Sequence, residues 1–161
     1  MKFGIMSDSH EHMKNIAKAV SIFNSEKVDL IFHAGDIISP IAYSEFKKSK
    51  SRIIFVYGNN DGEKLFLKEK LSQSEFLINR PPFVVDKANK KILLMHEPDE
   101  LDALSESKRY DLIIYGHTHI IDIRYGKPMI INPGETCGYI TGRATVGVLD
   151  AQQMEYRIID L

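Results

Sequence analysis

Five short apolar runs in this chain each end in polar side chains of the kinds that bind metal ions. The side chains are Asp8 and His10, Asp36, Asn59, His96, and His117 and His119. Carboxylate, amide and imidazole ligands without a thiolate suit Mn²⁺, Fe²⁺, Ni²⁺ or Zn²⁺. Seven such ligands on five separate segments are too many for one ion. Two ions that share a bridging carboxylate would use all of them and leave positions open for water and substrate.

Each motif taken alone also has a structural explanation. Asp36 could cap a helix, and Asn59-Asn60-Asp61-Gly62 could form a simple turn. Asp8 and His10 are two residues apart, so in an extended segment both side chains point to the same side, and His117 and His119 repeat that spacing. The five motifs together, in one order, are much harder to explain as caps and turns, and they favour a metal site.

The apolar runs that precede these motifs predict strands buried on both faces. They are Lys2–Met6, Val28–Phe32, Ile53–Tyr57, Lys91–Met95 and Leu112–Tyr115. Three further strands are predicted near the end of the chain, at Pro128–Asn132, Ala144–Asp150 and Glu155–Ile159, with no helix between them.

Helical patterns lie between several of the strands. Ile16 to Phe23 shows apolar residues at helical spacing, Ser39-Pro40 is a cap followed by proline at the first helical position, and Leu101 and Leu104 follow Pro98. The pattern predicts a layered α/β domain whose sheets mix parallel and antiparallel strands. Ligands in such folds bind beyond the carboxyl ends of the strands, where all five polar motifs fall.

Composition excludes several classes of protein. The chain has 161 residues, which predicts a single domain over residues 1–161, and its formal net charge of −1 predicts no dedicated nucleic-acid surface. One cysteine cannot form an internal disulfide, so a reducing compartment is expected. The apolar start is too short for a signal peptide and no run approaches a membrane span, which predicts a cytoplasmic protein without a membrane partner.

The ordered motifs resemble the signature of the calcineurin-like metallophosphoesterases. The signature reads Asp-x-His, Gly-Asp, Gly-Asn-x-Asp, His and Gly-His-x-His, and here it spans Asp8 to His119. Within that superfamily the chain is most similar to the small prokaryotic YfcE-like phosphodiesterases, whose Asn-Pro-Gly segment matches Asn132-Pro133-Gly134. The resemblance covers residue 1 to about residue 150. It implies the metallophosphoesterase fold, a β-sandwich of two mixed sheets flanked by helices.

The resemblance also implies roles for the motif residues. Asp8, His10 and His119 would hold one divalent ion, Asn59, His96 and His117 a second, and Asp36 would bridge the two. Such a centre, with Mn²⁺ as the first choice and Ni²⁺, Fe²⁺ or Zn²⁺ as alternatives, would hydrolyse a small phosphodiester substrate through a bridging hydroxide. No cap domain is evident, so the site is expected to be open, and a homodimer could shape it.

Two positions depart from the family pattern. Asn60 stands where many members have a histidine that assists the leaving group, and with Asp61 it is assigned to the substrate and leaving-group side. An amide cannot supply a proton near neutral pH, so esters with acidic leaving groups are expected to react best. Glu97 stands where the family has glycine. It either starts the next helix or faces the metals and disfavours anionic substrates.

Two functional alternatives follow from the same residues. A non-catalytic protein-interaction scaffold of this fold, as in the related retromer subunit, would have a degraded metal site, whereas all seven ligand positions are intact here. A phosphomonoesterase, a protein phosphatase or a nuclease would share the metal core. His33 and Cys137 are predicted to have structural roles.

Overall fold

The computed structural model describes residues 1–161 as a mixed α/β fold. Its strands are β1 (Lys2–Met6), β2 (Leu30–His33), β3 (Arg52–Val56), β4 (Leu77–Asn79), β5 (Phe83–Lys87), β6 (Lys90–Leu94), β7 (Leu112–Ile114), β8 (Ile121–Arg124), β9 (Met129–Pro133), β10 (Thr145–Asp150) and β11 (Glu155–Asp160). Its helices are α1 (Met13–Glu26), α2 (Tyr43–Phe46), α3 (Lys64–Ser72) and α4 (Leu101–Glu106), and a 3₁₀ turn at Pro40–Ala42 leads into α2.

The strands form two mixed sheets. The first has the order β11-β10-β1-β2-β3-β4 and the second the order β5-β6-β7-β9-β8. Strands β1 to β4 are parallel to one another, as are β6, β7 and β9, while β10, β11, β5 and β8 pair antiparallel at the flanks. The carboxyl ends of the parallel strands therefore open onto the loops that carry the polar motifs.

Period-two alternation within the strands divides the apolar side chains between layers. Phe32 and Ile54 pack between the two sheets, whereas Ile31 and Ile53 pack against α1 to α3 on the outer face of the first sheet. Leu93 on the second sheet packs towards α4. The result is a two-sheet sandwich with helices on both outer faces, which confirms the predicted fold class.

The predicted strands are all present, with ends that differ by one or two residues, and four elements were not predicted. They are α3, β4, β5 and β8. Helix α3 buries only Leu67 and Leu71 and leaves Leu65 and Phe66 exposed, so its apolar pattern is not that of an amphipathic helix. None of the helices is long and apolar enough to cross a membrane.

Candidate metal centre

The loops after β1, β2, β3, β6 and β7 bring all seven predicted ligands to one end of the sandwich. Asp8, Asp36 and His96 are almost completely buried, with 0%, 1% and 1% of their surface exposed. Imidazole and carboxylate atoms from different strands approach within 4 Å of one another. The fold thus brings the seven predicted ligands together in one cluster.

One side of the cluster is enclosed. Asp8 Oδ1 lies 3.5 Å from His119 Nε2 and 3.9 Å from His10 Nε2, and the two imidazole rings stack with centroids 5.2 Å apart. Behind them, Glu135 Oε2 lies 2.8 Å from His119 Nδ1. We call Asp8, His10, His119 and Glu135 the closed half of the site.

Asp36 lies between the closed half and the remaining ligands. Its Oδ2 is 3.5 Å from Nε2 of His10 and 3.5 Å from Nε2 of His96. Asn60 donates to both oxygens of this carboxylate, through its backbone N–H at 2.9 Å and its side-chain amide at 2.8 Å. Burial alone favours the protonated carboxyl, but hydrogen bonds from His96 and Asn60 outweigh it and hold the pKa of Asp36 well below its usual range.

The other side of the cluster is open to solvent. Asn59 Oδ1 lies 2.8 Å from His96 Nε2 and 3.0 Å from His117 Nδ1, so one amide oxygen faces two imidazoles. The side chains of Asn59, Asn60 and His117 are exposed, in contrast to the closed half. We call these three residues the open half of the site.

The backbone at the site is strained. Asp8, His10, Asp36, His117 and His119 all have positive φ, between 39° and 66°. The two-residue spacing of Asp8 with His10 and of His117 with His119 therefore does not reflect the extended geometry that the sequence suggested. Non-glycine residues adopt this conformation at a cost of about 1–2 kcal/mol each, and such positions cluster at functional sites.

Glycines make room for these turns. A Cβ atom on Gly58 would collide with the Asp36 carboxylate, and one on Gly116 would collide with Ser7 and Asp8. Each of these glycines directly precedes a predicted ligand, Asn59 or His117. Close packing of the loops thus requires the Gly-Asn and Gly-His pairs seen in the sequence.

Two histidine rings are oriented by acceptors on the side away from the cluster. The carbonyl oxygen of Ala34 lies 2.7 Å from His96 Nδ1, and Glu135 plays the same part for His119. These acceptors favour a proton on Nδ1, so that each ring can present the Nε2 lone pair that a metal ion needs when one is bound.

Glu135 was not singled out by the sequence. It is fully buried and also accepts hydrogen bonds from Cys137, Ile140 and Thr141. Burial opposes its charged form, yet these donors and His119 lower the pKa of Glu135 to about 2. The signal available in the sequence was its position directly after Asn132-Pro133-Gly134, a segment already noted for its family resemblance.

Asn132 and Asp61 brace the loops rather than face the cluster. The Asn132 amide donates to the Gly116 carbonyl at 3.0 Å and so supports the loop that carries two histidines. Asp61 accepts from the backbone N–H groups of Gly58, Ile37 and Ile38, each at 2.7 Å. Both Asp61 oxygens are therefore engaged with backbone, which favours a positioning role over the predicted place on the substrate side.

Two buried polar atoms of the cluster lack partners and fit a cation site. Asp8 Oδ1 and His10 Nε2 are buried and have no hydrogen-bond partner, although buried polar groups almost always have one. Burial raises the pKa of Asp8 even though Ser7, His96 and His119 favour its charged form. A divalent ion would satisfy both atoms and stabilise the carboxylate, so the residues present fit a metal site. Ligand atoms of Asp8, His10 and Asp36 lie within 4.8 Å of one another.

The remaining predictions near the site have mixed outcomes. His33 is fully buried and its Nε2 lies 3.0 Å from Ser9 Oγ, which confirms a structural role. Cys137 Sγ lies beside His10 and His119 in space, donates to Glu135 Oε2 at 3.1 Å, and has its pKa raised by burial to about 12. Glu97 does not start a helix, because α4 begins at Leu101. It lines a cavity next to the site instead.

Comparison with known proteins agrees with this geometry. Residues 1–154 match the model of the calcineurin-like phosphoesterase superfamily domain. A phosphodiesterase of Methanocaldococcus jannaschii is 42% identical over 165 residues, covering 100% of this chain and 99% of that protein.

Solved structures show the same relationship. The structure of an archaeal phosphodiesterase superposes with a TM-score of 0.94 at 43% identity over the full length of both chains. The structure of YfcE, a phosphoesterase from E. coli, superposes with a TM-score of 0.72 at 20% identity, covering 99% of this chain and 98% of that one. Because the family model matches nearly the whole length of the chain, the chain belongs to the calcineurin-like phosphoesterase superfamily.

Proposed function

We propose that this protein is a metal-dependent phosphodiesterase with a dinuclear centre. The observation that carries the proposal is the position of Asp36, whose Oδ2 is equally distant from His10 and His96 and thus lies between two groups of ligands. The 42% identical phosphodiesterase supports the same activity. Membership of a phosphoesterase superfamily and intact side chains at all seven positions favour catalysis over a scaffold role.

In this proposal each side of the cluster would hold one ion, with the buried His96 joining the ligands of the open half. Asp8, His10 and His119 would hold the first, Asn59, His96 and His117 the second, and Asp36 both. A pair of divalent ions, with Mn²⁺ as our first choice, supplies Lewis-acid polarisation of the phosphoryl oxygens and activates water for in-line attack.

The chain's own residues prepare the site for that chemistry. Ala34 and Glu135 hold two imidazoles in the tautomer that presents Nε2. Asn60, with its amide on Asp36 Oδ2, keeps that carboxylate oriented and ionised. Because burial removes Asp8 and Asp36 from water, their charges attract a cation more strongly than exposed carboxylates would.

The same contacts bear on the leaving group. Asn60 is exposed at the open half, but its amide is engaged with Asp36 and has no proton to give. We therefore propose that the leaving group departs without a general acid from this position. Aryl phosphodiesters, whose leaving groups are acidic, should react faster than alkyl phosphodiesters.

The test is metal removal followed by separate addition of Mn²⁺, Ni²⁺, Mg²⁺ or Zn²⁺. Hydrolysis of bis(p-nitrophenyl) phosphate and of p-nitrophenyl phosphate is measured for each metal. We expect the metal-free protein to be inactive, Mn²⁺ to restore turnover, and the diester to be preferred. A preference for the monoester would make the protein a phosphomonoesterase. If no metal restores turnover of either ester, the scaffold hypothesis replaces ours.

We also propose that residues 1–161 form one catalytic unit that acts in the cytoplasm. Strand β1 lies between β2 and β10, so the beginning and the end of the chain share one sheet. The chain has one cysteine and therefore needs no internal disulfide, which supports a reducing compartment.

A further inference from the structure

A cavity of about 650 Å³ adjoins the open half of the site. Gly58, Asn59 and His96 line it on the side of the metal ligands, so the two spaces are continuous. Its size falls within the range of small-molecule pockets, which is about 300–1,000 Å³. A substrate bound at the metal centre can therefore extend one of its ester arms into this cavity.

The far wall of the cavity is cationic. Lys64 and Lys68 come from α3, and Arg80 follows β4. None of these three cations forms a salt bridge with any carboxylate of the chain. Lys64 Nζ lies 5.5 Å from the centre of the Tyr57 ring, which is also part of the wall. Three free positive charges in one cavity form an attractive field for an anion.

Glu97 is the one acidic residue in the cavity lining. It reduces the formal charge of the wall from +3 to +2, so a net attraction for anions remains. The positive charge exceeds what a plain phosphodiester needs, because such a diester carries a single negative charge that the metal ions would neutralise. Arginine and lysine together are the usual protein ligands of phosphate groups.

We propose that this cavity binds a second phosphate group, carried on an ester arm of the substrate. The substrate class is then a small phosphodiester with an additional phosphate, rather than a diester with two neutral arms. This inference rests on the proposed phosphodiesterase function. Arg80 and Lys68 bind the second phosphate, and Glu97 weakens its binding.

The experiment compares two p-nitrophenyl phosphodiesters on the Mn²⁺-loaded protein. Both have the same alkyl second arm, of three or of six carbons, which ends in a hydroxyl group in one compound and in a phosphonate in the other. The phosphonate stands in for the second phosphate and cannot be hydrolysed. The quantity measured is the ratio of kcat/KM for the phosphonate compound to kcat/KM for the hydroxyl compound, from the release of p-nitrophenolate.

Charge variants then change that ratio in opposite directions. We expect Lys68→Met to lower it about threefold and the Lys68→Met, Arg80→Met double variant to lower it about tenfold, the size expected for exposed charge pairs. Glu97→Gln should raise it about threefold, chiefly through a lower KM for the phosphonate compound. Lys18→Met, which removes an exposed lysine of α1 outside the cavity, is the matched control and should leave the ratio unchanged.

The outcomes separate this inference from the proposed function. If the protein hydrolysed neither diester, the proposed function itself would be overturned. A different result would overturn only the second-phosphate site. In that result both diesters are hydrolysed, but the kcat/KM ratio is the same in the wild type and in the Lys68→Met, Arg80→Met and Glu97→Gln variants. Hydrolysis of single-stranded DNA with the same dependence on these cations would assign the cavity to a nucleic-acid backbone and overturn the small-substrate class.

Discussion

The closed half and the open half of the site both contain imidazoles, but the closed half adds carboxylates and the open half adds amides, and the two halves differ in what surrounds them. In the closed half, His119 is held by the fully buried Glu135, and Asp8 is itself fully buried. In the open half, Asn59 and His117 are exposed, and Asn59 lines the cationic cavity. On the proposed function, this difference predicts two roles: the buried residues would fix the position of a metal ion, and the exposed residues would contact the substrate.

The largest effect is expected at Asp36, which lies between the two halves. In the Asp36→Asn variant one anionic ligand is lost while the shape is retained. Metal ions contribute several kcal/mol to the transition state, so kcat/KM should fall by about a thousandfold or more. Calorimetric titration with Mn²⁺ should show that fewer than two ions bind.

The control for this prediction is Asp86→Asn, which removes an exposed carboxylate from β5. It should retain both activity and metal content. If the Asp36 variant still bound two ions with unchanged affinity, the idea that this carboxylate joins the halves would have to be abandoned.

A smaller effect, confined to the closed half, is expected for Glu135→Gln. The glutamine oxygen can still accept from Ile140 and Thr141, but its amide group would donate to His119 Nδ1 and favour the tautomer with a proton on Nε2. Partners of metal-binding histidines typically contribute 10–100-fold to metal affinity, and we expect a loss of about that size at one of the two ions.

Mn²⁺ titration would show this as one weakened and one unchanged binding event. Rescue by Glu135→Asp, which restores a carboxylate, would separate ring orientation from general damage to the fold. Glu155→Gln, at an exposed position of β11, is the matched control. Equal weakening of both ions would contradict the division between the halves.

The parts of the site that could be predicted from sequence are those that follow strand ends. Asp8, Asp36 and His96 each come after an apolar run, and the rule that ligands gather at the carboxyl ends of parallel strands was enough to group them. The two sheets were predictable for the same reason, since buried strands give short runs rich in isoleucine, leucine and phenylalanine.

The parts that could not be predicted depend on contacts between distant segments. Glu135 is 16 residues from His119 and lacks a pattern of its own. The cavity cations lie on α3 and after β4, where the apolar pattern is misleading because Leu65 and Phe66 of α3 are exposed beside the buried Leu67 and Leu71. The left-handed backbone at His10 and His117 is imposed by packing between loops and opposes local preference.

A further prediction tests the open half through Asn60→His. A histidine at this position can donate a proton to the leaving group, which the amide cannot. The ratio of aryl to alkyl phosphodiester turnover should therefore fall by about tenfold. This is less than general acids usually contribute, because the new ring lacks supporting contacts. Steady-state kinetics with bis(p-nitrophenyl) phosphate and with diethyl phosphate would measure this ratio.

The control for this exchange is Asn89→His, in the exposed turn between β5 and β6. It should not alter the ratio. An Asn60→His variant with unchanged preference would show that the leaving group does not lie at the open half.

The smallest effect concerns the support beneath the closed half. His33 lies under the loop of Asp36, where it accepts from the Gly35 N–H at 3.2 Å. Burial lowers the pKa of His33 from 6.5 to about 3, with His96 and His10 opposing its charge and Asp36 favouring it. The folded state thus binds fewer protons than the unfolded state between these values. Stability is complete above pH 6.5 and is lost as the pH falls towards 3.

Between pH 7.5 and 5.5 this residue should reduce the free energy of unfolding by about 1 kcal/mol. Chemical denaturation of the metal-free protein at both pH values would measure the decrease. The His33→Gln variant lacks the titrating ring, so its free energy of unfolding should decrease by about 1 kcal/mol less over the same pH interval. Its free energy of unfolding at pH 7.5 should be lower than that of the wild type, because a buried contact with Ser9 is altered. An identical decrease in both proteins would mean that His33 is not the group that destabilises the closed half in acid. The closed half, although enclosed, would then not be more sensitive to acid than the open half.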